Sequence, residues 1–319
     1  MTDGKPRIVF MGTPEFAVAS LKALYTSGCD IAAVVTVPDR PAGRGRKITF
    51  SPVKEYALEN RLTLLQPEKL RDPEFIAALN NLNADIFVVV AFRMLPEAVW
   101  RIPPMGTFNL HASLLPQYRG AAPINHAVMN GETRTGVTTF LIDKEIDTGM
   151  ILLSRDTEIA PDDTAGSLHD RLMLLGAALT VETADRLFSR TLKPVPQKSF
   201  DPGQLKPAPK IFPADTVIDW RKPAEQVHNL IRGLSPYPGA TAILKRESNM
   251  IRLKILGSSL SNDTAANVPG EVTVVEKSRL LVSCGEGCVE ITSLIPEGRR
   301  RMTVSEFLRG FDPSGWVLA

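Results

Sequence analysis

Asn109 and His111 stand two positions apart in TFNLHASLLPQYRGAAPI, residues 107–124. Alternate side chains of an extended chain face the same way. Residues 107–112 therefore read as a short strand with Asn109 and His111 on one face and Phe108 and Leu110 on the other. An Asn amide donates to an oxygen on which negative charge is developing; an imidazole donates to the same oxygen or moves a proton. Ser113, Leu114, Leu115 and Pro116 follow, a hydroxyl, two apolar side chains and a proline in a turn able to wall a flat ligand. Arg119 then brings a cation ahead of small residues and the next helix. Residues 135–153 read as strand, acidic loop, strand, and the loop carries Asp143, Glu145 and Asp147. A carboxylate near His111 would orient the ring and support a positive charge on it. Residue type and spacing leave all three acids eligible.

The elements that must position these residues are those of an α/β fold. RIVFMG at 7–12 reads as a buried strand, Pro14 opens a helix that ends near Gly28, and IAAVVTV at 31–37 makes a second strand. Residues 84–92, ADIFVVVAF, are continuously apolar from Ile86 onward, which implies a mostly parallel sheet covered on both faces. Strand ends in such a sheet open into the crevice where ligands bind. Residues 163–190 read as one long helix packed back on the sheet. The first turn has one glycine, Gly12, where a dinucleotide fingerprint needs three, so NAD is not expected.

Six prolines between 194 and 213 read as an extended connector, and after it come short β-like runs at 240–244, 252–256, 270–275, 280–284 and 289–294. Those runs suggest a small OB-like barrel, with Thr303 and Glu306 at capping-box spacing for a last helix. The expected domains are 1–190, a connector at 191–213, and 214–319. Net charge is +2 overall, with residues 191–319 at +4 and the rest at −2, a distribution compatible with nucleic acid. No apolar run reaches membrane-span length and the N-terminus lacks signal-peptide features, so a cytoplasmic protein without a membrane partner is expected. Three cysteines agree with a reducing compartment; Cys284 and Cys288 flank a Gly-Glu-Gly hairpin turn, and no metal site is expected.

The segment from Asn109 to Ile124, with TGVT at 135–138 and DTG at 147–149, resembles the folate-dependent formyltransferases. VFMGTPEFAV at 9–18, PDRPAGRGRK at 38–47, SPVK at 51–54 and IDW at 218–220 are similar to the branch of that family acting on methionyl-tRNA, so the likeness runs nearly end to end. The resemblance implies a Rossmann-like, mostly parallel formyltransferase domain followed by an OB-like tRNA-binding barrel. It implies 10-formyltetrahydrofolate as co-substrate, with no metal, and methionyl initiator tRNA as acceptor; a monomer is expected. It makes Asn109, His111 and Asp147 the catalytic trio and puts Ser113, Leu114, Leu115 and Pro116 against the folate. One stretch departs: most members read Ala-Tyr-Gly before a Leu-Pro in the folate-side loop, where this chain reads Ala91, Phe92, Arg93, Met94, Leu95, Pro96. Arg93 would adopt a glycine's backbone angles only at a cost. His126, His169 and His228 lie outside the motifs and read as structural or surface residues.

Arg40, Arg44, Arg46 and Lys47 with two glycines form a basic loop. Taken by itself it is a solvated loop; the resemblance implies that it enters the tRNA acceptor stem, with Arg44 foremost. Arg299, Arg300 and Arg301 would supply backbone contacts from the barrel. A sugar-nucleotide formyltransferase or a formyl-folate hydrolase would share the trio but needs neither basic feature; an RNA-binding protein with an inactive domain would not need the trio. Arg44→Ala should raise KM for tRNA and leave kcat nearly intact, and a large kcat loss at unchanged KM in steady-state formylation assays would refute the loop assignment.

Overall fold

The computed structural model describes residues 4–42, 47–197, 202–263 and 268–319. Arg44 and Arg46 lie outside the described residues. The chain divides into two units, Met1–Gly120 with Gly136–Thr157 and His169–Lys206, and Ala121–Thr135 with Glu158–Leu168 and Pro207–Ala319.

The first unit is built on a seven-stranded sheet. Its strands are β1 (Arg7–Gly12), β2 (Asp30–Val35), β5 (Leu64–Leu65), β6 (Ile86–Val90), β7 (Thr107–His111), β8 (Arg134–Leu141) and β9 (Ile151–Glu158); β3 (Arg40–Ala42) and β4 (Lys47–Thr49) make a separate two-stranded ladder. The order is β5-β2-β1-β6-β7-β8-β9. Pairing is parallel from β5 through β7 and turns antiparallel where β8 lies against β7. Every residue of β6 is buried, as a strand covered on both faces requires.

Helices α1 (Glu15–Thr26), α2 (Pro52–Glu59), α3 (Pro73–Asn81) and α4 (Glu97–Trp100) connect the early strands. One sheet face packs Val9, Met11, Phe87 and Val89 on Phe75, Leu79 and Val99. α5 (Pro123–Met129) leads into β8, and α6 (Ala165–Phe188) is the long helix expected from the pattern. Gly176 lets α6 approach the sheet: a Cβ there would stand 2.7 Å from Leu110 Cδ2 of β7. Thr183 of α6 also meets Thr139 of β8, hydroxyl to hydroxyl at 2.8 Å.

The second unit holds α5, α7 (Ala224–Gly233) and a curled antiparallel sheet. Its strands are β10 (Ala240–Arg246), β11 (Asn249–Ser261), β12 (Val272–Val275), β13 (Arg279–Ser283), β14 (Cys288–Pro296), β15 (Met302–Thr303) and β16 (Val317–Leu318), with α8 (Val304–Gly310) before the last strand. The order is β12-β13-β14-β11-β10-β16, and a bridge from Glu271 to Val317 links its two edges. The inward residues Leu253, Ile255, Val282, Ile291 and Leu294 meet Val227 and Ile231 of α7 and Phe307 of α8. Thr303 and Glu306 form the capping box at α8. The short strand β16 and helix α7 went unread in the sequence. β16 is two residues long; α7 does carry a helical spacing, Val227, Leu230, Ile231 and Leu234, directly after the proline-rich stretch.

Cys284 and Cys288 flank the β13–β14 turn and, like Cys29, are free and buried. Burial pushes the Cys284 thiol up to about 11 and raises Cys29 as well. Thiolate is the reactive form, so Cys29 and Cys284 should resist a disulfide reagent at pH 8 in the native protein, Cys288 is shielded by its burial, and all three should react together after denaturation. Rapid native labelling at Cys284 would contradict this burial.

Candidate active site

β7 ends at the carboxyl edge of the parallel sheet, and the residues beyond it turn sharply. Ser113 Oγ donates to the Gln117 carbonyl at 2.6 Å, while Thr138 of β8 donates to the Ser113 carbonyl at 2.7 Å and accepts from Leu115 N–H at 3.2 Å. Ser113, Leu115 and Pro116 are buried in this turn and Leu114 is half-buried. Their polar atoms are spent on the turn itself, so the hydroxyl of Ser113 holds the wall together.

His111 is buried, and its Nε2 lies 2.8 Å from the carbonyl of Tyr118. A carbonyl only accepts, so Nε2 carries the proton there. That commits one side of the ring and leaves Nδ1, which faces Asp147 Oδ2 at 3.7 Å. The separation exceeds a direct hydrogen bond and lets a third polar atom touch both groups. Asp147 Oδ2 also accepts from Gly120 N–H at 3.0 Å, and Oδ1 makes no hydrogen bond to a described residue. Of the three acids in this loop, Asp143 and Glu145 are exposed, and Asp147 is the one facing the imidazole.

Asn109 is half-buried on the same strand face. Its Oδ1 is buried and has no partner among the described residues. Buried amide oxygens are nearly always bonded, so this one points to a group that a ligand would bring.

Asp147 takes φ +55°, in the left-handed region that a non-glycine residue enters at a cost. The acid loop returns to β9 through Gly149, where a Cβ would stand 1.7 Å from the Leu141 carbonyl oxygen of β8. No side chain fits that approach. On the neighbouring loop the strained angle falls at Ala91, φ +47°, and Arg93 does not share it. The missing glycine is thus answered two residues earlier than the sequence suggests. Arg93 instead donates from Nη2 to the Pro67 carbonyl at 2.9 Å and from Nη1 to the Glu68 carbonyl at 3.2 Å. Burial, with Arg40 nearby, holds its pKa below the usual guanidinium value.

Residues 6–183 match the formyl transferase family, and residues 210–312 match the formyl transferase C-terminal domain. A methionyl-tRNA formyltransferase of Bacteroides fragilis is 50% identical over 307 residues, 96% of this chain and 95% of that protein. One from Flavobacterium johnsoniae is 47% identical over 306 residues, 96% of each. The chain belongs to the methionyl-tRNA formyltransferase family. Among solved structures, an N-formyltransferase from Helicobacter canadensis in complex with folinic acid and dTDP-3-aminofucose is similar in fold. Its TM-score is 0.65 at 20% identity, covering 92% of this chain and 99% of that one.

Of the basic residues expected in this family's tRNA contacts, Arg40 is exposed on β3 and Lys47 opens β4. Just before β3 in the chain, Asp39 pairs with the buried Lys54, which also donates to Gln66 Oε1 at 3.0 Å, and the Asp39 carboxyl is held below its usual range by Lys54 and Gln66. Arg299, Arg300 and Arg301 are exposed on the turn between β14 and β15. Sequence reading missed a second basic group. The outward face of β10 and β11 carries Lys245, Arg252 and Lys254, in rows Lys245–Met250, Ile243–Arg252 and Thr241–Lys254. None of these three pairs with a described carboxylate, whereas Arg279 of the same unit binds both Asp263 and Glu290. Period-two alternation with cations on the outer positions of 245–254 was the available signal. No described helix is long and apolar enough to cross a membrane.

Gly149→Ala should destabilise the protein by about 1–3 kcal/mol, the usual cost of overpacking. It should also lower kcat, because the acid turn must move off β8; denaturant unfolding and single-turnover rates check the two effects separately.

Proposed function

We propose that this chain transfers the formyl group of 10-formyltetrahydrofolate to the α-amine of methionine on initiator tRNA, giving N-formylmethionyl-tRNA for translation initiation. Family membership supports the substrates. The observation that carries the chemistry is the buried His111, whose remaining nitrogen faces Asp147, on the strand face it shares with Asn109.

The neutral amine attacks the formyl carbon and a tetrahedral intermediate forms with negative charge on oxygen. The Asn109 amide N–H groups and the protonated Nδ1 of His111 donate to that oxygen, with the Asp147 carboxylate as the counter-charge to the ring. As the carbon–nitrogen bond forms the amine loses a proton, which Asp147 Oδ1 accepts. That proton passes to the folate nitrogen as its bond to the formyl carbon breaks. No covalent enzyme intermediate is needed. Ser113, Leu114, Leu115 and Pro116 wall the folate, through shape and main chain more than through the Ser113 hydroxyl.

On this reading residues 1–190 form the catalytic domain, 191–213 the connector and 214–319 the tRNA-binding domain. The protein works in the cytoplasm as a monomer. Arg40, Arg44, Arg46 and Lys47 contact the acceptor end, and Arg299, Arg300 and Arg301, with Lys245, Arg252 and Lys254, neutralise phosphates elsewhere on the tRNA.

The test supplies labelled 10-formyltetrahydrofolate with methionyl-tRNA, uncharged tRNA or a UDP-amino sugar. Label on the methionine amine is expected; label on the sugar, or free formate in every tube, defeats the proposal. Asn109→Ala should lower kcat by about 10²-fold with tRNA affinity little changed.

A further inference from the structure

The connector after α6 carries Gln197, whose amide spans two segments of the site. Its Nε2 donates to the Asp147 carbonyl and to the Gly149 carbonyl, each at 2.9 Å. Its Oε1 accepts from Arg119, at 3.2 Å from Nε and 2.6 Å from Nη2. Both amide protons and both lone pairs are thus used, and the bond from a guanidinium is of the stronger, charge-assisted kind.

The location of those bonds gives them their meaning. The Asp147 and Gly149 carbonyls belong to the turn that aims the carboxylate, and Asp147 sits there at a costly positive φ. Residues in such conformations persist only where their surroundings hold them. Arg119 lies between Tyr118, whose carbonyl takes the His111 Nε2 proton, and Gly120, whose N–H holds Asp147 Oδ2. The Gln197 amide therefore fastens the turn of the carboxylate to the turn that orients the imidazole.

Gln197 is delivered by the chain before it. Ile151 of β9 and Val195 exchange two backbone hydrogen bonds, at 2.8 and 2.9 Å, two residues ahead of the amide. Further along, Lys206 receives the Tyr118 N–H on its carbonyl at 2.7 Å and gives its own N–H to Gln117 Oε1 at 2.8 Å.

We infer that Gln197 is a positioning residue for catalysis, holding Asp147 on the Nδ1 side of His111. The inference rests on the roles proposed above for those two residues. Displacing a reacting group by about 1 Å can cost on the order of 10²-fold in rate.

The test is a double-mutant cycle read in kcat and KM. Gln197→Leu should lower kcat by about 10- to 100-fold with KM for folate and tRNA within about twofold of wild type. In an Asp147→Ala background the same substitution should change kcat by less than about twofold, since the carboxylate it positions is gone. A residue that merely anchors the connector would give the same loss in both backgrounds, or raise KM with kcat preserved; either result overturns the inference. Gln197→Glu keeps the side-chain length and the Arg119 contact but sets an acceptor against two carbonyls, so it should lose as much kcat as the Leu variant. If the Leu variant fails to fold by circular dichroism, the Glu variant carries the cycle; a Glu variant with wild-type kcat overturns the inference. Wild-type enzyme alone decides the functional proposal, and the cycle is scored on whichever acceptor takes the label. A wild type that transfers no formyl group to any acceptor overturns both.

Discussion

The hydrogen bond from His111 Nε2 to the Tyr118 carbonyl sets the terms for the rest of the site. An imidazole has two nitrogens, and tying one to a backbone oxygen leaves a single position for chemistry. Everything that acts with His111 must then approach the Nδ1 side. The 118–120 turn does both jobs, since its carbonyl fixes the ring and its Gly120 N–H fixes the carboxylate that answers it.

Bringing a carboxylate to that side is a problem of sheet topology. β7 has a parallel neighbour in β6, entered from behind through a helix, and an antiparallel neighbour in β8. β8 runs antiparallel to β7 and ends beside its start, Leu141 opposite Phe108, and the β8–β9 loop that leaves there carries Asp147 back toward the His111 ring. Its tight return needs a residue without a side chain at Gly149 and a left-handed residue at Asp147, and both features are local costs. They are tolerable because β8 beside them is buried from Thr135 to Phe140 and is fastened to α6 through Thr139 and Thr183. Charge follows a similar economy elsewhere. The buried Lys54 is compensated by Asp39 and Gln66, whereas Lys245, Arg252 and Lys254 on the outer face of β10 and β11 have no carboxylate partner among the described residues.

Much of this was legible in the residues. The sheet strands were visible because buried parallel strands are continuously apolar, and the face shared by Asn109 and His111 followed from strand alternation. The barrel strands were readable for the same reason, since a one-sided sheet alternates. The two-residue β16 was not, because a strand that short carries no period. Arg93 was misjudged as the strained position. A sequence shows that a glycine is missing but not which neighbour takes up the dihedral, and here Ala91 does.

By itself the sequence determined which groups could meet an oxyanion, because side-chain type and a period of two are local properties. Residue type and spacing left three acids eligible until the family resemblance pointed to Asp147, and they presented the proline-rich stretch as a tether. Bringing Asp147 to face His111, giving Nε2 to Tyr118, and bringing Gln197 onto the Asp147 turn were decided only in the tertiary structure. The physical reason is common to all three. Each depends on hydrogen bonds between segments far apart in the chain, and no local pattern records which carbonyl a donor will find.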